Sequence, residues 1–229
     1  MSPIAANLQS VRRRISEALQ GDSRAVTLVA VSKTRAAADI REALAAGCRD
    51  FGENYIQEAL PKIAALAAEG ATWHFIGSLQ SNKAREAAEN FDWFHGLDRL
   101  KIAQALSRHR PTGRAPLQVC IQVNISGEAT KGGVEPSEVP GLARGVAALP
   151  GLQLRGLMGV ASPDADPAKQ RGEFAQLRHA FEGLRAAGFI VDMLSMGMTQ
   201  DFEVALAEGA TMIRIGTAIF GEREKRAVA

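Results

Sequence analysis

Short apolar segments alternate with helical stretches about eight times along this chain, and this alternation constrains the fold more than any other feature. Strands and helices that alternate in this way form parallel sheets with right-handed crossovers. Eight such units in 229 residues predict one domain, residues 1–229, folded as a closed (β/α)8 TIM barrel. The predicted strands are Thr27–Ser32, a segment near Phe51, Trp73–Ile76, Phe91–Phe94, Leu117–Ile125, Leu152–Val160, Ile190–Leu194 and Met212–Ile215.

An additional helix is predicted before the first strand. Apolar residues recur there every three or four positions, at Leu8, Val11, Ile15 and Leu19. This spacing is typical of an amphipathic helix, and Gly21 is a suitable residue to end it. We therefore expect a helix over Ala5–Gln20 that lies outside the repeated strand and helix units.

Charge and cysteine content exclude several classes of function. Lys and Arg number 27 against 25 Asp and Glu, a net charge of +2, which is too balanced for a nucleic-acid-binding surface. Cys48 and Cys120 lie in apolar stretches without metal-ligand spacing, so we expect neither a disulfide nor a metal site. No apolar run reaches the ~18 residues of a membrane span, and the amino terminus does not resemble a signal peptide, so we expect a cytoplasmic protein.

Lys33 closes the first predicted strand, at the end of an α/β barrel where active sites are found. It alternates with Val29 and Val31, so it points into the barrel if those valines do. Burial disfavours an ammonium ion and leaves a neutral amine, which condenses with aldehydes and ketones. The alternative is a lysine whose amine simply reaches solvent from the strand end.

The last two strands indicate an anion site near Lys33. Arg214 lies in the eighth strand, which pairs with the first in a closed barrel, so both cations can face one cavity. Ser195–Thr199 and Gly216–Thr217 end the seventh and eighth strands, where barrels commonly bind phosphate. Taken alone, Arg214 also suits a structural ion pair and Gly216 an ordinary turn.

Seven ordered sequence blocks together resemble the pyridoxal phosphate homeostasis protein family over nearly the whole chain. The resemblance implies the barrel of the fold-type III pyridoxal phosphate enzymes, a group that includes alanine racemase, and implies pyridoxal 5′-phosphate as the cofactor. The blocks are Val29–Thr34, Phe51–Tyr55, Trp73–Gly77, Leu79–Lys83, Leu154–Met158, Leu194–Met198 and Arg214–Gly221.

The resemblance also implies roles for single residues. Lys33 would be the aldimine lysine, and Arg214 would face the pyridine nitrogen. The phosphate would lie among Ser195, Gly216 and Thr217. The ring pocket would be lined by Asn54 and Met158.

Three further residues have weaker assignments. The segments 69–77 and 208–216 echo each other and align His74 with Ile213, so we expect His74 to face the helices. His95 is expected in the core or behind the site rather than as a general base. Lys131, in the glycine-rich loop after the fifth strand, is a hypothetical second anion or cofactor contact.

The sequence leaves three functions open. An arginine beside the pyridine nitrogen weakens the ring as an electron sink, and 222–229 leave no room for the second domain that the resemblance assigns to racemases. The first hypothesis is therefore a monomeric carrier, without robust turnover and without catalytic residues, that supplies pyridoxal phosphate to apoenzymes in vitamin B6 and amino-acid balance. The alternatives are a low-activity amino-acid racemase and a class I aldolase-like lyase that uses Lys33.

Overall fold

In the computed structural model, which describes residues 2–128, 131–163 and 166–222, eight parallel strands form a closed barrel. Each strand pairs with the next, and β8 pairs with β1 to close the ring. This confirms the predicted (β/α)8 architecture. The strands are β1 (Thr27–Val31), β2 (Asp50–Glu53), β3 (Thr72–Phe75), β4 (Trp93–Leu97), β5 (Leu117–Gln122), β6 (Leu152–Met158), β7 (Met193–Ser195) and β8 (Met212–Ile215).

Helices follow the strands and cover the outside of the barrel. Among the described residues, no helix is long and apolar enough to cross a membrane. The helices are α1 (Pro3–Leu19), α2 (Ala37–Ala45), α3 (Ile56–Ala65), α4 (Ala84–Asn90), α5 (Leu100–His109), α6 (Val139–Ala147), α7 (Pro167–Ala186), α8 (Phe202–Ala207) and α9 (Thr217–Phe220).

Two strands begin later than their apolar runs predicted. Phe91 is the buried residue that directly follows α4, and β4 starts only at Trp93. Ile190 is 91% exposed, and β7 starts only at Met193. Apolar residues that flank a strand therefore lengthened the predicted segments without taking part in the sheet.

The additional helix α1 packs against α2, α8 and α9. Its buried face consists of Ile4, Leu8 and Val11, and Asn7 Nδ2 donates a hydrogen bond to the carbonyl of Ile219 at 2.9 Å. Because α9 has only four residues, it is too short to cover β8 alone. The additional helix thus completes the outer layer where the last strand meets the first.

The stagger of the barrel decides which side chains enter its interior. Val29 is the register partner of both Asp50 and Arg214, and Gly52 is the partner of His74, so these residues share the inner face. The expectation that His74 faces the helices is therefore wrong. Alternate strands contribute to alternate layers of a (β/α)8 barrel, so equal positions in odd β3 and even β8 point in opposite directions.

Leu8→Ala should lower the free energy of unfolding by about 2–5 kcal/mol. Leu8 is fully buried on the inner face of α1, and truncation of its side chain leaves a cavity. The exposed neighbour Gln9 supplies the matched control, and Gln9→Ala should change stability by less than about 0.5 kcal/mol. Urea unfolding followed by circular dichroism measures both. Equal stability of the two variants would show that α1 is not part of the cooperative fold.

Candidate functional site

A cavity of about 290 Å³ opens at the carboxyl end of the barrel and is called here the Lys33 cavity. Its wall includes Lys33 after β1, Arg214 within β8, and Gly216 and Thr217 where α9 begins. The structure therefore brings four of the seven predicted site residues to one place. The other residues that line it are Val31, Pro163, Gln170, Met198, Thr199, Gln200 and Asp201.

Closure of the barrel brings Lys33 and Arg214 together. Val29 is the register partner of Arg214, and Lys33 follows two residues beyond the inward-facing Val31. Lys33 is half-buried at the wall of the cavity. The two cations thus share a wall because the first and last strands are neighbours, as the barrel topology predicted.

Arg214 is buried and held by two neighbouring strand ends. It donates hydrogen bonds to Ser195 Oγ at 2.8 Å and to the carbonyl of Gly159 at 3.0 Å. Burial lowers the pKa of Arg214 to about 10, which still leaves the guanidinium charged at neutral pH. The site therefore keeps a fixed positive charge beneath its opening.

Asp201 supplies a buried negative charge beside the cavity. Burial raises the pKa of Asp201, while a hydrogen bond from the Met198 N–H and the charge of Arg214 act in the opposite direction. In the sequence Asp201 stands directly before α8, where an acidic residue complements the helix dipole. Its position on the wall with Arg214 could not be inferred from that pattern.

The start of α9 presents hydrogen-bond donors to the cavity. The first N–H groups of a helix have no carbonyl partner within it, and Gly216 has no side chain to cover them. Thr199 and Thr217 add hydroxyls to the same wall. Together with the amine of Lys33, this donor set fits a small phosphorylated ligand.

Gly197 shapes the loop that carries Thr199. Its φ of +95° is in the region that favours glycine, and a Cβ there would lie 2.8 Å from the Cβ of Ala205. Only glycine therefore allows the end of β7 to pack this closely against α8. The close packing places the residues from Met198 to Asp201 on the cavity wall.

The other three predicted site residues, Ser195, Met158 and Asn54, are outside the lining of this cavity, although Ser195 contacts Arg214. Ser195 is buried inside the barrel, and Met158, its register partner, is also buried. Asn54 lines a separate cavity of about 460 Å³, together with Gly77 and Lys83. Among the described residues that line the Lys33 cavity, none of the three is present. The binding roles of these three residues stay predictions.

Lys131 is also placed away from the Lys33 cavity. Its amine forms an ion pair with Glu128 at 3.0 Å, in the loop that follows β5. The described lining of the Lys33 cavity does not include it. Its part as a second cofactor contact stays a hypothesis.

A buried ion pair that the sequence analysis missed supports the strand ends from outside the barrel. Glu53 Oε1 accepts hydrogen bonds from Ser32 Oγ at 2.6 Å and from Lys62 Nζ at 2.8 Å. Lys62 also donates to the carbonyl of Ser32 at 2.8 Å. These contacts join β1, β2 and α3 directly beside Lys33. A glutamate within the buried segment around Phe51 was the available signal.

Comparison with known sequences gives a consistent result. The family described as alanine racemase, N-terminal domain, matches residues 1–224. The pyridoxal phosphate homeostasis protein of Pseudomonas aeruginosa is 55% identical over 227 residues, which cover 98% of this chain and 97% of that protein. The similarity therefore extends over both proteins almost from end to end.

Solved structures show the same barrel. PipY of Synechococcus elongatus with PLP bound is 41% identical, with a TM-score of 0.83 over 95% of this chain and 100% of that one. Alanine racemase from Corynebacterium glutamicum is 18% identical, with a TM-score of 0.70 over 99% of this chain and 62% of the racemase. At that identity the second comparison shows a shared fold.

Lys62→Met should lower the free energy of unfolding by about 3–5 kcal/mol at pH 7, because it leaves the buried Glu53 carboxylate without its cation. The double variant Glu53→Gln/Lys62→Met should lose less, because no buried charge remains. Urea unfolding at several pH values measures both.

Acid should reduce the loss in Lys62→Met. Burial already raises the pKa of Glu53, so this carboxyl takes up a proton in the folded state before it does so in the unfolded chain. The deficit of Lys62→Met relative to the original protein therefore shrinks as the pH falls toward the ordinary range of a glutamate. A deficit that does not change with pH, and that matches the double variant, contradicts this account of the ion pair.

Proposed function

We propose, because the chain belongs to the pyridoxal phosphate homeostasis protein family, that it binds pyridoxal 5′-phosphate in the Lys33 cavity and acts in the homeostasis of this cofactor. One observation carries the proposal: the amine of Lys33 shares a single cavity with the guanidinium of Arg214 and the donor-rich start of α9. The name of the Pseudomonas aeruginosa relative and the PLP bound to PipY support the same ligand.

The residues of the cavity fit this cofactor. Gly216 and Thr217 would hold the phosphate through backbone N–H groups and a hydroxyl, and Arg214 would lie beside the ring nitrogen. When bound, the cofactor supplies an aldehyde that forms a Schiff base with the Lys33 amine, and a ring that accepts electron density. Lys33 would thus hold it by a covalent bond that water can reverse.

The chemistry of the cavity wall favours holding the cofactor over turning substrates over. The Arg214 guanidinium can only donate hydrogen bonds, so a ring nitrogen facing it stays unprotonated and the ring is a weaker electron sink. Among the described residues that line the cavity, there is no histidine, tyrosine or cysteine, and Asp201 is the only carboxyl group. A racemase needs a second acid or base, besides the lysine, in such a cavity.

We further propose that the protein works as a cytoplasmic monomer and that apoenzymes dependent on pyridoxal phosphate receive the cofactor from it. The Lys33 cavity lies at the carboxyl end of the barrel, where the loops after β1, β6 and β7 contribute residues to its wall. A reversible bond to a lysine near such an opening suits exchange of the ligand.

Purified protein mixed with pyridoxal 5′-phosphate should absorb near the blue edge of the visible spectrum, and Lys33→Ala should abolish this band. Borohydride should fix the cofactor to Lys33, which peptide mass spectrometry locates. Lys83→Ala is the matched control, since Lys83 lines the separate cavity and pairs with Glu86. A colourless mixture, or label on another lysine, overturns the assignment.

A substrate scan tests the proposed lack of turnover. Loaded protein incubated with each amino acid should yield no D-amino acid above background, as judged by chiral chromatography. Formation of any D-amino acid near the median enzyme turnover of ~10 per second would favour the racemase alternative. The Lys33→Ala protein serves as the blank for this measurement.

A further inference from the structure

Five polar side chains form a continuous series of hydrogen-bond contacts inside the barrel, and the series ends at Arg214. This series is called here the chain. Arg214 lies 2.8 Å from Ser195 Oγ, which lies 3.0 Å from His95 Nδ1. His95 Nε2 is 3.0 Å from His74 Nδ1, and His74 Nε2 is 3.0 Å from Asp50 Oδ1. Each member therefore contacts the next at hydrogen-bond distance, and the five residues come from five strands: β2, β3, β4, β7 and β8.

The chain begins near solvent and runs to the cavity. His74, His95 and Ser195 are fully buried, and Arg214 is buried at the wall of the Lys33 cavity. Asp50, the first residue of β2, keeps 28% of its side chain exposed at the opposite end of the barrel. The two ends of the chain thus open to different faces of the protein.

With both rings neutral, the carboxylate end fixes the direction of the hydrogen bonds. An ionised carboxylate only accepts, so His74 Nε2–H donates to Asp50 and His74 Nδ1 accepts from His95 Nε2–H. The remaining nitrogen of His95, Nδ1, then accepts from the Ser195 hydroxyl. Ser195 Oγ in turn accepts a hydrogen bond from Arg214, which can only donate.

The surroundings of the imidazoles agree with this arrangement. Burial is the main reason that the pKa of His95 lies well below its usual value, and the nearby charge of Arg214 acts in the same direction. His95 therefore stays neutral, as a ring that donates at one nitrogen and accepts at the other must be. Trp93 stacks on His74 with ring centroids 5.4 Å apart and planes inclined by 10°, which restrains the orientation of that ring.

We propose that Ser195, His95, His74 and Asp50 are positioning residues that hold the Arg214 guanidinium in one orientation toward the Lys33 cavity. The inference rests on the proposed function, because it takes Arg214 to contact the cofactor. Since the Arg214 guanidinium cannot accept a proton, these residues do not deliver protons to the cavity. They orient the positive charge of Arg214. Asp50 provides the negative end of this oriented chain, remote from the ligand.

Nitrogen-15 NMR of the protein without cofactor tests the direction of the chain. Both His74 and His95 should be neutral with the proton on Nε2. The sequence has four histidines. His109 and His179 do not belong to the series of hydrogen-bonded residues and provide the internal reference. A proton on Nδ1 of either buried ring, or an imidazolium at neutral pH, overturns the one-way arrangement.

Cofactor titration tests the positioning role. Ser195→Ala should weaken binding of pyridoxal 5′-phosphate about tenfold and shift the absorption band, because Arg214 loses one of its anchors. Ser195→Thr keeps the hydroxyl and should restore both properties. Asp50→Asn, at the solvent end, leaves the cavity lining unchanged and should still alter the His74 signal and the band. His179→Gln is the control, since His179 is exposed on α7.

The outcomes separate this inference from the proposed function. Failure of the original protein to bind the cofactor refutes the proposed function and, with it, the positioning role, while the NMR result still reports on the chain itself. If the original protein binds but folded Ser195→Ala and Asp50→Asn show the same affinity and the same band, the positioning role is refuted and the proposed function stands. Circular dichroism establishes that each variant is folded.

Discussion

A guanidinium buried inside a barrel is stable only if its charge and its donors are matched, and the environment of Arg214 meets both requirements. Ser195 and the Gly159 carbonyl accept its hydrogen bonds, and Asp201 provides a nearby negative charge. Removing a charge from water without such partners costs several kcal/mol, on the order of the whole stability of a domain. The end of β7 and the residues after β6 are both held by this one side chain.

Two polar clusters support the Lys33 cavity from opposite sides of the strand wall. Inside, the histidines connect Arg214 to Asp50. Outside, Glu53 and Lys62 join the end of β1 to β2 and α3, next to Lys33. Because each cluster consists of groups that need their partners, each restricts the geometry around it more than an apolar core of the same volume would. The two cations of the cavity thus depend on separate polar supports.

The sequence was sufficient to predict the barrel and the meeting of Lys33 with Arg214, because both follow from topology. Once eight strand and helix units close into a ring, the first and last strands must be neighbours. The direction of His74 could not be predicted by aligning two similar segments, since the stagger of the ring reverses the inner face between odd and even strands. Glu53 and Lys62 come into contact only when α3 packs against the strands, so the sequence did not predict their ion pair either. Ser195 shows the same limit, because a strand-end position does not specify which group its hydroxyl contacts.

The pairing of Thr27 with Met212 has a consequence for how the protein is made. A ribosome delivers β1 before and β8 after the other six strands, so one edge of β1 has no strand beside it on the nascent chain until β8 emerges. The wall that carries both Lys33 and Arg214 does not exist until the final strand has emerged and docked. A small molecule that requires this wall therefore stabilises only chains in which β8 has paired with β1, and its binding reports that the barrel has closed.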